Sequence, residues 1–137
     1  MADPTYGSNA GRWGPITDCD KVSAGPFGWA STYATYSVGA AAQRLYDNDQ
    51  GILDRFSDFW VLMAKRFKDN PAVLGYELLN EPWLGDIWDN LDLLIPGQSD
   101  KLNLQNMNNV LNEAIRTVDN DTIIFFEPGI QIMLLLV

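Results

Sequence analysis

The sequence has no histidine and a single cysteine, Cys19. Without imidazole, neither a Ser-His-Asp nor a Cys-His relay can be completed from these residues, and metal sites that need a histidine ligand are excluded with them. One cysteine forms no intrachain disulfide and builds no thiolate zinc cage. Basic residues are also scarce, 9 Lys and Arg against 18 Asp and Glu, for a formal net charge of −9. No cluster of them offers a footprint for phosphates, so no nucleic-acid partner is expected. Long apolar runs are missing too: the apolar stretch 130–137 falls far short of the ~20 residues a bilayer needs, and no membrane span is expected. Neither glycine-rich phosphate loops nor metal-ligand clusters stand out, so neither a cofactor nor a metal is expected. Any chemistry falls to carboxylates.

What is there is ordinary globular material. A hydrophobic fraction of 47% with 20% charged residues argues against disorder, and 137 residues make one domain at most. The opening Met1-Ala-Asp-Pro-Thr-Tyr-Gly has neither the basic start nor the apolar core of a secretory signal, which leaves the compartment open. Residues 1–40 are rich in Gly, Ser, Ala, Tyr and Pro with no sustained period, and read as a loop-rich lead-in.

From Gly51 onward the pattern sharpens. Ile52, Phe56, Phe59, Trp60, Met63 and Phe67 recur at helical spacing, predicting an amphipathic helix over 49–68 with Asn48 or Asp49 as its cap and these aromatics in the core. Asp69-Asn70-Pro71 ends it, because the residue before a proline is pushed out of the right-handed helical region. The apolar run 73–79 predicts a buried strand. A second helical face, Leu104, Met107, Val110, Leu111, Ala114, Ile115 and Val118, is followed by the β-branched and aromatic stretch 122–126, a second strand. Helices alternating with continuously apolar strands give an α/β fold with parallel pairing. The connection 80–103 is much longer than the ~2–6 residues usual between such elements. Long loops at the carboxyl ends of parallel strands are where sites are built.

That loop opens Leu78-Leu79-Asn80-Glu81-Pro82-Trp83 and reaches Trp88, so a carboxylate leaves the strand beside an amide and an indole. Sugars ask for this mixture: their C–H faces stack on indole rings, their hydroxyls need short polar partners, and glycosidic cleavage needs a carboxylic acid to protonate the leaving oxygen. Glu81 is the candidate acid. Asn-Glu-Pro by itself is a common turn, and the strand before it and the oversized loop after it are what give it weight. Glu77 is four residues earlier, roughly 13 Å away along an extended strand, too far for a retaining pair; a charge paired with a basic residue is its expected role. Glu127 closes the second strand and is expected near Glu81. Asp86 and Asp89 read as loop-shaping side chains bonded to their own backbone.

The run from Tyr46-Asp47-Asn48 through Gly51-Ile52, Asp54-Arg55-Phe56 and Phe59-Trp60 to Val73-Leu74-Gly75-Tyr76-Glu77-Leu78-Leu79-Asn80-Glu81-Pro82-Trp83-Leu84-Gly85-Asp86 resembles the endoglycoceramidases of glycoside hydrolase family 5. Asp119-Asn120-Asp121-Thr122-Ile123-Ile124-Phe125-Phe126-Glu127-Pro128 looks like the next barrel strand of that family, and Phe27-Gly28-Trp29-Ala30 is a fainter echo upstream. The resemblance implies a partial (β/α)₈ TIM barrel: a single incomplete hydrolase domain over 1–137, with βα units at 46–128 and an atypical apolar tail at 129–137. It implies a retaining hydrolase of O-glycosyl bonds between oligosaccharide and ceramide, active in glycolipid catabolism. Glu81 would be the acid/base, Asn80 would bond the sugar 2-hydroxyl, and Trp83, Trp88 and Glu127 would line the substrate site. The family's nucleophile sits on a seventh strand and has no counterpart in these residues, so the chain is expected to carry one half of the catalytic pair. The family is often secreted. The alternative expectation is a non-catalytic remnant that binds a glycan or self-associates through open barrel edges.

Overall fold

The computed structural model describes residues 35–130. Most of the lead-in, the Phe27 to Ala30 echo, Cys19 and nearly all of the apolar tail lie outside the described residues. Three helices and two strands follow one another: α1 (Tyr36–Tyr46), α2 (Ile52–Phe67), β1 (Gly75–Glu77), α3 (Gln105–Arg116) and β2 (Ile123–Phe125).

The strands pair in parallel with Gly75 opposite Ile123, Tyr76 opposite Ile124 and Glu77 opposite Phe125. The Leu78 N–H continues the ladder to the Phe125 carbonyl at 3.1 Å. A parallel pair needs a crossover, and α3 supplies it. The expected α/β class with parallel strands is therefore present, in shorter strands than the apolar runs suggested. Regular pairing ends where Glu77 and Phe125 end, because the chain beyond them turns into the long loop on one side and the Pro128-Gly129 turn on the other.

Side chains alternate across β1 and β2, and this divides the molecule into a covered and an open face. Tyr76, Leu78 and Ile124 pack on the helical side with Tyr46, Leu53, Ala64, Leu104, Met107, Leu111 and Ile115. Leu104, Met107, Leu111 and Ile115 are fully buried, each stabilising the fold by about 1.5–3 kcal/mol. Gly75, Glu77, Ile123 and Phe125 face the other way, where Ile123 is 50% and Phe125 43% exposed. Gly75 is required by this pairing, since a Cβ there would stand 2.5 Å from the Phe125 ring and 2.6 Å from the Ile123 carbonyl.

Three expectations are corrected. Residues 36–40, assigned to the lead-in, are the first turns of α1. Ala40, Ala41 and Ala42 are strong helix formers, but with few apolar landmarks beside them the stretch shows no period to read. The helix over 49–68 starts only at Ile52, after a tight turn at Asp49–Gly51. Asn48 still caps it, its side-chain oxygen accepting the N–H groups of Leu53 and Asp54 at 2.9 and 3.2 Å. Phe59 is 47% exposed rather than core. The buried line of α2 runs through Leu53, Phe56, Trp60, Ala64 and Phe67, and at 3.6 residues per turn Phe59 stands roughly 100° round from its centre. It stacks instead on Phe56, ring centroids 6.3 Å apart, and meets Trp60 edge-on.

The base of the strands is fixed by Asp119. Its carboxylate accepts the Tyr76 hydroxyl at 2.8 Å and the N–H groups of Asp121 and Thr122 at 3.1 Å each. Burial opposes charge on this group, yet the bonds from Thr122, Tyr76 and Asp121 outweigh it and hold the carboxyl well below the usual range. Burial, together with the bond to Asp119, pushes the Tyr76 phenol up. Arg116 ties the same turn from α3, donating to the carbonyls of Asp119 and Thr122 at 3.0 Å each.

Candidate active site

Glu81 stands four residues past the last paired residue of β1, at the carboxyl end of the strands. Its backbone φ is +46°, in the left-handed region that L-residues other than Asn and Asp seldom enter. Asn80 and Glu81 are both exposed. The Glu81 N–H donates to the Glu127 carboxylate at 2.8 Å, so the expected proximity of Glu127 is realised through the Glu81 backbone. One residue on, the Pro82 carbonyl accepts the Ile130 N–H at 3.0 Å. The segment after β2 thus holds the turn after β1 at two consecutive residues.

Glu77 corrects another expectation. Its partner is acidic: the side chain lies on the same face as Phe125 and Glu127 and hydrogen-bonds the Glu127 carboxyl. That bond, then desolvation and the charge of Glu127, raise its pKa above the usual glutamate value. Three glutamates therefore converge at one end of the strand pair: Glu77 and Glu127 side chain to side chain, and Glu127 to Glu81 through the backbone.

The loop after Glu81 has its own core. Trp83, Leu84, Ile87 and Leu93 bury one another against Ala42 of α1. Trp83 is only 5% exposed, so its ring is spent on loop packing and offers no open face for a sugar, contrary to the expectation for this residue. Burial of a ring this large is favourable enough to fix the loop. Trp88 is 42% exposed. Asp86 shapes the turn as expected, one carboxylate oxygen accepting the N–H groups of Trp88 and Asp89 at 3.1 and 3.2 Å.

Residues that sequence reasoning missed anchor this loop to the helices. Asn103 and Gln43 bond each other through both amide groups at 3.1 and 3.2 Å. Asn103 also donates to the Leu84 carbonyl at 2.8 Å, which accepts the Ser99 hydroxyl at 2.8 Å as well. Gln43 accepts the Asp86 N–H at 3.3 Å, and the Tyr46 hydroxyl donates to the Trp83 carbonyl. Gly39 lets α1 approach, a Cβ there standing 3.1 Å from the Gly85 carbonyl. One signal was legible: Met107, Leu111 and Ile115 recur every four residues, and one step back is Asn103, a polar residue on an apolar stripe. The loop 80–103 is also less irregular than its length implied, holding a short helical turn at Leu91–Leu94 and a wider one at Asp100–Leu104.

Among the described residues no group of three or more His, Cys, Asp or Glu side chains is placed to hold a metal ion. No helix among them is long and apolar enough to cross a membrane. The exposed carboxylate of Glu81, the shared carboxyls beside it and a rigid aromatic loop form a surface suited to proton transfer on a polar, hydroxyl-rich substrate.

Residues 29–129 match the cellulase family, glycosyl hydrolase family 5. The chain is 47% identical over 110 residues to an endoglycoceramidase of Hydra vulgaris and 46% identical over 110 residues to one of Cyanea nozakii. Each alignment covers 80% of this chain, and 20% and 21% of the relatives. Endoglycoceramidase I of Rhodococcus hoagii is 36% identical over 58 residues, 42% of this chain and 12% of that protein. The chain thus spans about a fifth of the length of the first two relatives. With the family matched over most of its length, the chain belongs to glycosyl hydrolase family 5.

Proposed function

We propose that this chain forms part of a (β/α)₈ barrel of a retaining glycosidase that hydrolyses the O-glycosyl bond between oligosaccharide and ceramide in glycosphingolipids. In it, Glu81 is the acid/base. The observation that carries this reading is the position of Glu81: at the carboxyl end of a parallel strand, exposed, in a left-handed turn held by the neighbouring strand's Glu127. Such strand ends are where barrel enzymes place catalytic groups. The endoglycoceramidase names of the relatives supply the substrate class.

In a retaining mechanism the acid protonates the leaving oxygen while a second carboxylate, ~5–5.5 Å away, attacks the anomeric carbon; the acid then serves as base for water. Glu81 supplies the first function and Asn80 the hydrogen bond to the 2-hydroxyl. Trp88 offers its exposed ring to a sugar face. Glu127 is engaged with Glu81 and Glu77, so the nucleophile is assigned to a further strand of the barrel. A non-catalytic reading, self-association or glycan binding, draws on one observation, the exposed apolar Ile123, Phe125 and Phe126 on β2 and just beyond it. A dimer that covers those residues would favour it.

The test is a chimaera in which residues 29–129 replace the matching stretch of the Hydra vulgaris endoglycoceramidase. Glu81→Gln is expected to lower turnover of a natural glycolipid ~10²–10⁴-fold while glycolipid binding persists. Unchanged turnover would remove Glu81 from the mechanism.

A further inference from the structure

The left-handed conformation of Glu81 has no local cause. Glutamate does not favour it, and Pro82 after it biases residue 81 toward extended backbone. Something distant must hold the turn, and two contacts from the segment after β2 do so. The Glu127 carboxylate accepts the Glu81 N–H at 2.8 Å, and the Ile130 N–H reaches the Pro82 carbonyl at 3.0 Å. A carboxylate acceptor makes the first of these the stronger. That segment is itself anchored, the Gly129 N–H donating to Asp100 at 2.7 Å. Strand register does the rest: Glu77 pairs opposite Phe125, which brings Glu127, two residues on along the same face, within reach of both Glu77 and the Glu81 backbone.

We propose that Glu127 is a positioning residue for Glu81, its carboxylate locking the left-handed turn that fixes where the Glu81 side chain points. The catalytic meaning rests on Glu81 being the acid/base; the structural link stands apart from it.

The experiment is amide NMR and hydrogen exchange on the 137-residue chain, which needs no enzymatic activity. In the unaltered chain the Glu81 amide is expected to exchange more slowly than an unbonded exposed amide. In Glu127→Ala it exchanges ~10-fold faster or more, the loss of a bond to a charged acceptor, while Leu111 and Ile115 keep their protection. Glu127→Gln, which keeps an acceptor and loses the charge, restores most of the protection. A Glu81 amide that exchanges at the unprotected rate in the unaltered chain overturns the proposal, and that measurement stands even if Glu127→Ala fails to fold. In the chimaera, Glu127→Ala is expected to lower kcat with little change in KM. A rise in KM alone would make Glu127 a substrate contact and overturn the positioning role. Loss of turnover in Glu81→Gln is scored separately, so the two readings fail independently.

Discussion

Gly85→Ala tests whether the partly buried Gln43 and Asn103 amide pair is what holds the loop after Glu81. Gly85 has φ +115°, a region that is strained for any side chain, and holding alanine there costs about 1–3 kcal/mol. The added Cβ would stand 2.4 Å from the Gln43 amide oxygen and 2.5 Å from the Asn103 amide nitrogen. Turning those side chain ends aside is cheap in torsion alone. Here it breaks the reciprocal Gln43 and Asn103 bonds, and with them the Asn103 bond to Leu84 and the Gln43 bond to the Asp86 N–H. Leaving two of these partly buried groups unpaired costs about 1–3 kcal/mol each. The sum is about 3–9 kcal/mol, a large share of the ~5–15 kcal/mol by which a domain is stable. Urea unfolding followed by tryptophan fluorescence reads it as a fall in midpoint at unchanged slope. With Gln43 and Asn103 both already alanine, the Gly85→Ala penalty should shrink to the backbone part, a double-mutant coupling of about 2 kcal/mol or more. A Gly85→Ala cost below about 1 kcal/mol, or full additivity with the amide deletions, would refute the account.

Two further predictions concern pH and carry opposite signs. Asp119 is held below its ordinary value, so its contribution is present at neutral pH and is lost as pH falls below the carboxylate range. Asp119→Asn is expected to cost about 1–3 kcal/mol at pH 7 and to flatten the acid limb of a thermal-unfolding series. Glu77 is held above its ordinary value by Glu127, so the stability it contributes is full at acid pH and is lost as pH rises through the elevated pKa. Glu77→Gln should remove that fall and melt higher than the parent at neutral pH; a lower melting temperature would show that the shared carboxyls are not in repulsion.

How much of this was written in the sequence can be judged residue by residue. The apolar faces of α2 and α3 and the two β-branched runs were legible because periodicity reports which side of an element leaves water, and that requirement is local. Glu81 was legible for a similar reason: an acid after an apolar strand and before an aromatic loop is a pattern within one stretch of chain. The burial of Trp83 was not, since stacking on a sugar and packing on Leu84, Ile87 and Leu93 ask for the same ring in the same place.

The sequence by itself determined the alternation of helices and strands and their parallel pairing, because composition and periodicity act on each segment separately. Only the tertiary structure decided which carboxylates meet. Glu127 is 46 residues from Glu81, and Gln43 is 60 from Asn103. Neither contact exists until the register of β1 on β2 and the approach of α1 to the loop are set. Those are properties of packed surfaces, and no single segment carries them.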